Sequence, residues 1–147
     1  MISLTVFGTP IAQGSKRLVT AKSGRPVLIE SAKGLGPWRA MIKQEAGRRM
    51  HEWKLETTRA PVQVSLYFYF QRPQSHYGTG RNAHQLLPSA PSQPAVQPDI
   101  DKIARAVLDA LTGTVFADDK QVVSLVCRKH YADAHMPGVT VEVLEVV

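Results

Sequence analysis

From Val62 to Phe70 the chain runs Val-Gln-Val-Ser-Leu-Tyr-Phe-Tyr-Phe, an alternation enriched in β-branched and aromatic residues. A pattern of period two over this length demands a strand with one face in the core. Other segments supply its partners. Ile2, Leu4 and Val6 alternate with Ser3 and Thr5 until Gly8-Thr9-Pro10 ends the run. Gln121 to Tyr131 also reads as a strand, and Val139 to Val146 alternates cleanly after a hairpin loop from Ala132 to Gly138. Residues 16–30 form a looser hairpin turning at Ser23-Gly24-Arg25-Pro26.

Two segments follow helical spacing instead. Pro37 suits a first helical turn, with Trp38, Met41, Ile42, Glu45 and Ala46 behind it, as far as about Met50. From Asp99 to Thr112, Ile100, Ile103, Ala104, Val107, Leu108 and Leu111 fall on one stripe, and Gly113 is a fitting stop. The expected fold is an α+β single domain over residues 1–147, with two helices packed on a mixed, mostly antiparallel sheet. Trp38, Trp53 and Cys127 are expected to pack rather than to bind.

A lone cysteine excludes an intrachain disulfide and any multi-cysteine zinc site, which suits a reducing cytoplasm. The first residues lack a basic region followed by an apolar run, and no stretch reaches membrane-spanning length. Gly-rich phosphate loops, Ser-His-Asp arrangements and helical His-Glu-x-x-His patterns are absent, so no organic cofactor is expected. The 18 Lys and Arg residues outnumber the 12 Asp and Glu, a net charge of +6 that favours polyanions.

Against that basic background, four carboxylates bracket the second helix: Asp99 and Asp101 at its start, Asp118 and Asp119 beyond its end. Aspartates in such places serve as caps and turn residues. A compact acidic cluster in a chain that attracts phosphate also suits a bound hard cation such as Mg²⁺, shared with the phosphate, and hence metal-assisted cutting of nucleic acid. A helix of this length spans about 20 Å, so Asp118 and Asp119 join Asp99 only if residues 113–117 begin a return. Between 71 and 97 lies a long loop rich in polar residues, carrying Pro73, Pro88, Pro91 and Pro94 and leading through Pro98 into the acidic motif. It is expected to face substrate and to order on binding.

Pro98-Asp99-Ile100-Asp101, Ala106-Val107-Leu108-Asp109-Ala110-Leu111 and Asp118-Asp119-Lys120-Gln121-Val122 together resemble the RusA family of Holliday junction resolvases, in its phage-borne or prophage form. The likeness extends to the opening strand with Gly8-Thr9-Pro10, to Phe70-Gln71-Arg72-Pro73-Gln74-Ser75-His76 and to the closing hairpin. It implies a homodimeric, Mg²⁺-dependent endonuclease, with Mn²⁺ as substitute, that cuts four-way DNA junctions symmetrically in recombination and repair. The family's essential aspartates fall on Asp99, Asp101 and Asp119, with Asp118 beside the last as a further metal ligand. The family's usual asparagine and lysine are replaced here by Lys102 and Arg105. Arginine keeps the charge but does not move a proton. This departure leaves two other classes open: a junction-binding architectural protein with a degenerate site, and a general flap or single-strand nuclease. Lys16, Arg17, Lys22 and Arg25 in the hairpin, Arg72, His76 and Arg81 in the loop, and Lys102 and Lys120 beside the acidic pairs are the expected DNA-backbone contacts. His84 is expected to be merely exposed.

Overall fold

The computed structural model describes residues 1–14, 17–29 and 33–147. Its main sheet has four strands: β1 (Ile2–Phe7), β4 (Val62–Phe70), β5 (Val122–Tyr131) and β6 (Gly138–Glu145). Their order is β1-β6-β4-β5; the first two junctions are antiparallel, and β4 runs parallel to β5. Strands β2 (Arg17–Thr20) and β3 (Pro26–Ile29) form a separate antiparallel hairpin. Its turn closes through the Gly24 N–H to the Ala21 carbonyl, with Gly24 at φ 80°. The α+β arrangement expected from the alternations is therefore present.

A parallel pair requires a crossover, and here the crossover is the long loop followed by helix α2 (Ile100–Leu111). Helix α1 (Leu35–Glu52) packs against α2 and β1. Side chains alternate across the sheet, so Val64, Leu66 and Phe68 meet Val139, Val141 and Val143 on the helix-covered face, all buried. From α1 come Leu35, Trp38, Ile42, Ala46 and Met50; from α2 come Ile103, Ala104, Ala106, Val107, Ala110 and Leu111.

Three expectations change at this level. Met41 is 45% exposed because the buried stripe of α1 runs through Leu35, Trp38, Ile42 and Ala46, one step to its side. Ile100 is 41% exposed: at the first helical position it lies beyond the core and lines a cleft. Trp53 is 41% exposed, with the Arg49 guanidinium 5.1 Å from its ring centroid, and so belongs to the surface. Cys127 is half-buried, and burial pushes its thiol up to about 11, consistent with a packing role. Among the described residues no helix is long and apolar enough to cross a membrane.

Where β6 begins, Gly138 faces Phe7 of β1 and Tyr69 of β4. A Cβ there would collide with the Val6 carbonyl oxygen. Gly138→Ala is expected to lower stability by about 1–3 kcal/mol, because the obstacle is backbone of a paired strand and not a movable side chain. Thermal unfolding of the purified variant checks it; an unchanged midpoint would show that β1 and β6 are less closely apposed.

Candidate active site

Asp99 is the N-cap of α2, yet its carboxylate makes no capping hydrogen bond. Its nearest partner is the Lys102 ammonium at 3.4 Å, with both side chains about half exposed. Asp101 follows in the first turn and is exposed. Both line an open cleft of about 570 Å³ with Pro94, Val96, Gln97 and Lys129. Two hard oxygen donors free of structural duty, beside the positive end of a helix, form a place where a divalent cation and a phosphate can meet.

Asp118 and Asp119 lie elsewhere. Phe116 bridges to Thr58 and to Thr112, the Val115 carbonyl accepts from the Thr58 N–H, and the Ala117 N–H donates to the Thr58 carbonyl. These bonds hold residues 115–117 beside the chain leading into β4, the end of the sheet where β4 and β5 start. The cleft sits where β5 finishes, since the Lys129 ammonium donates to the carbonyls of Val96 at 2.5 Å and Pro98 at 2.8 Å. Seven strand steps from Val122 to Lys129 come to about 23 Å. The α2 helix axis gives about 18 Å independently. Residues 113–117 thus do not bring Asp118 and Asp119 back to Asp99, and among the described residues no three acidic, histidine or cysteine side chains gather to hold an ion.

The two distal aspartates also differ from each other. Asp118 caps the short helical turn Asp119–Gln121: its carboxylate accepts from the Lys120 N–H at 3.0 Å, while the Gln121 side chain accepts from the Asp118 N–H at 2.8 Å. The Gln121 amide then donates to the carbonyls of Thr58 and Ala60. The Lys120 N–H bond, helped by that lysine's charge, holds Asp118 below the usual carboxylate range. Asp119 carries no such duty and is exposed.

Several basic residues are also reassigned. Asp101, Arg105 and Asp109 stand at four-residue spacing on α2, yet among the described residues they form no ladder of ion pairs. Asp109 accepts instead from the Gln13 amide at 2.5 Å, whose oxygen accepts from Arg39 at 3.1 Å, which fastens residues 11–14 to α2. Arg105 is exposed and, among the described residues, ion-pairs with no carboxylate. Arg72, expected on DNA, has its side chain only 4% exposed. Its guanidinium donates to both Asp133 oxygens at 2.6 and 3.1 Å and to the Pro91 carbonyl at 2.7 Å, meets His76 Nδ1 at 3.2 Å, and lies 4.2 Å from the Tyr131 ring centroid. His76 is half-buried and packs edge-on to Tyr131. Arg72 and His76 therefore clasp the loop to the end of the sheet, with the Arg72 guanidinium turned inward. Lys22, Arg25, Arg81, Lys102, Lys120 and His84 are exposed. Lys102 and Lys120 lean on Asp99 and Asp118, at 3.4 and 3.5 Å. Lys16 and the side chain of Arg17 lie outside the described residues.

Arg72 holds the Asp133 carboxylate below the ordinary aspartate range. A depressed folded-state value means the clasp contributes fully above the unfolded value of about 4 and is lost as pH falls through the folded one. Proteolysis within residues 79–89 is therefore expected to accelerate below about pH 4 in the parent, and to be fast and nearly pH-independent in Asp133→Asn. Equal pH dependence in the two proteins would discount the clasp.

The residue not anticipated from sequence is Lys129, which ties the Val96–Pro98 segment to β5 and lines the cleft. Its signal was available: in β5 it shares the inward parity of Cys127 and Tyr131, an unusual place for a lysine.

A two-layer α+β domain with an acidic pair at a cleft and exposed cations around it has the makings of a nucleic-acid-processing enzyme. The chain belongs to the RusA endodeoxyribonuclease family, whose model matches residues 8–144. Membership makes it an endodeoxyribonuclease; the family as a whole is one of Holliday junction-resolving nucleases, generally dependent on divalent metal. It is also similar to the uncharacterized protein YqaN of Bacillus subtilis (strain 168), at 29% identity over 146 residues, covering 99% of this chain and 96% of that protein.

Proposed function

We propose that this chain is a homodimeric, Mg²⁺-dependent endonuclease, with Mn²⁺ as substitute, that resolves four-way DNA junctions by symmetric cleavage. Its setting would be recombination and repair in the bacterial cytoplasm, or the host's if the protein is phage-encoded. The observation that carries the reading is the pair of uncapped carboxylates, Asp99 and Asp101, lining one cleft in a chain of net charge +6. Two carboxylates suit a hard cation in chemistry but fall short in number. Asp119 joins them only from a second copy of the chain, given its distance within one copy. A two-fold dimer supplies that copy and matches a substrate cut on two symmetry-related strands. When bound, the ion lowers the pKa of water and offsets charge developing at the phosphate.

The remaining work falls to the chain itself. Asp99 and Asp101 sit on a helix start, so their spacing is fixed by backbone geometry. Arg105, one turn after Asp101 and without a carboxylate partner among the described residues, would take phosphate bidentately. It supplies charge without proton transfer. Lys102 balances Asp99 in the free protein. Lys22, Arg25, Arg81 and Lys120 would bind backbone and carry no sequence preference.

Purified protein with labelled four-way, flap and linear duplex DNA tests this, in Mg²⁺ and in chelator. The expected result is paired symmetric cuts on the junction in Mg²⁺ only. Binding without cutting would indicate an architectural protein, and preferred cutting of flaps a general nuclease.

A further inference from the structure

Lys129 combines three properties. Its ammonium donates to two backbone carbonyls, those of Val96 and Pro98, immediately before Asp99. It lies 5.9 Å from the Phe70 ring centroid, half-shielded from water. Among the described residues it pairs with no carboxylate, although Asp99 and Asp101 line the same cleft. Carbonyls orient an ammonium without neutralising it. Of the three N–H donors of a lysine, one is left over. A full positive charge, held in place and partly dried, therefore faces the cleft with a donor to spare.

We propose that Lys129 is a phosphate-contacting residue of the cleavage site, its third N–H meeting a non-bridging oxygen of the strand brought to Asp99 and Asp101. The inference rests on the function proposed above. It differs from a bracing role for the loop, since bracing needs only donors whereas phosphate binding needs the charge.

Three variants separate the two. Lys129→Arg keeps donors and charge, Lys129→Gln keeps donors alone, and Lys129→Met keeps neither. Junction affinity is measured against salt concentration in chelator, and single-turnover cleavage in Mg²⁺. Each phosphate contact contributes about 0.9 to the slope of log affinity on log salt. Lys129→Gln and Lys129→Met are both expected to lower that slope by about 0.9 and the cleavage rate roughly ten- to a hundredfold, with Lys129→Arg near the parent. A parental slope and rate in Lys129→Gln, with loss in Lys129→Met alone, would make the residue a brace and overturn the proposal. If the parent binds junctions but never cuts, the nuclease reading fails while the slope still decides Lys129. A parent that binds no DNA overturns both.

Discussion

Asp99→Asn and Asp101→Asn proteins are expected to fold, to bind four-way junction DNA at least as tightly as the parent, and to lose cleavage by three orders of magnitude or more. Folding survives because neither carboxylate caps α2 and both are exposed, so no buried contact is removed. Binding survives because each change deletes a negative charge near phosphate. Cleavage fails because a neutral amide is a far poorer ligand for a hard divalent ion than a carboxylate. Asp119→Asn is expected to behave alike. Asp118→Asn should be mild, since an asparagine oxygen still accepts from the Lys120 N–H that the aspartate engages. Near-parental cutting by Asp99→Asn and Asp101→Asn would remove the cleft from consideration.

The second large effect comes from mixing inactive proteins. Neither Asp101→Asn nor Asp119→Asn alone should cut. Unfolding and refolding them together is expected to restore nicking of one strand per junction, to about a quarter of parental single-strand activity. Half of the dimers would be mixed, and in each of these one site combines an intact Asp99–Asp101 pair with the intact Asp119 of the other copy. If all three aspartates instead served one site within a single chain, every site in the mixture would carry a lesion and no activity would return. The product distinguishes the cases as well: nicked junctions rather than resolved duplexes. The opposing positions of the cleft and of Asp119 along β5 make this experiment decisive, because no side-chain motion closes a gap of about 20 Å.

Much of this was legible in the chain. The alternation at Val62–Phe70 and the apolar stripe from Ile103 to Leu111 appear as a strand and a helix because each has one face to bury, and burial is what periodicity records. The acidic pairs were legible as residues but not as a place. Distance between Asp99 and Asp119 depends on which strands are parallel, and β4 and β5 carry no mark of that in their own composition. Arg72 misled for a related reason. An arginine next to proline in a polar loop looks like a surface cation, and only the arrival of Asp133, sixty-one positions later, draws it inward. Arg105 shows the converse: aspartates stand at its i−4 and i+4 positions, but Gln13 claims Asp109 from another part of the chain. Side-chain pairing over long separations is set by tertiary contact, and local spacing does not foresee it.

The crossover between β4 and β5 has a practical consequence. A link between parallel neighbours must travel the length of the sheet, and here it does so with α2, leaving residues 79–89 as surplus chain outside the packed layers. Doubling the length of a flexible excursion costs only about 0.6 kcal/mol in closure entropy. Inserted peptides, epitope tags or a second, dye-bearing cysteine at Ala83 or His84 should therefore be tolerated, with the Arg72 and Lys129 anchors isolating the sheet from the graft. A fluorophore placed there would report on DNA entering the cleft without disturbing the residues that act on it.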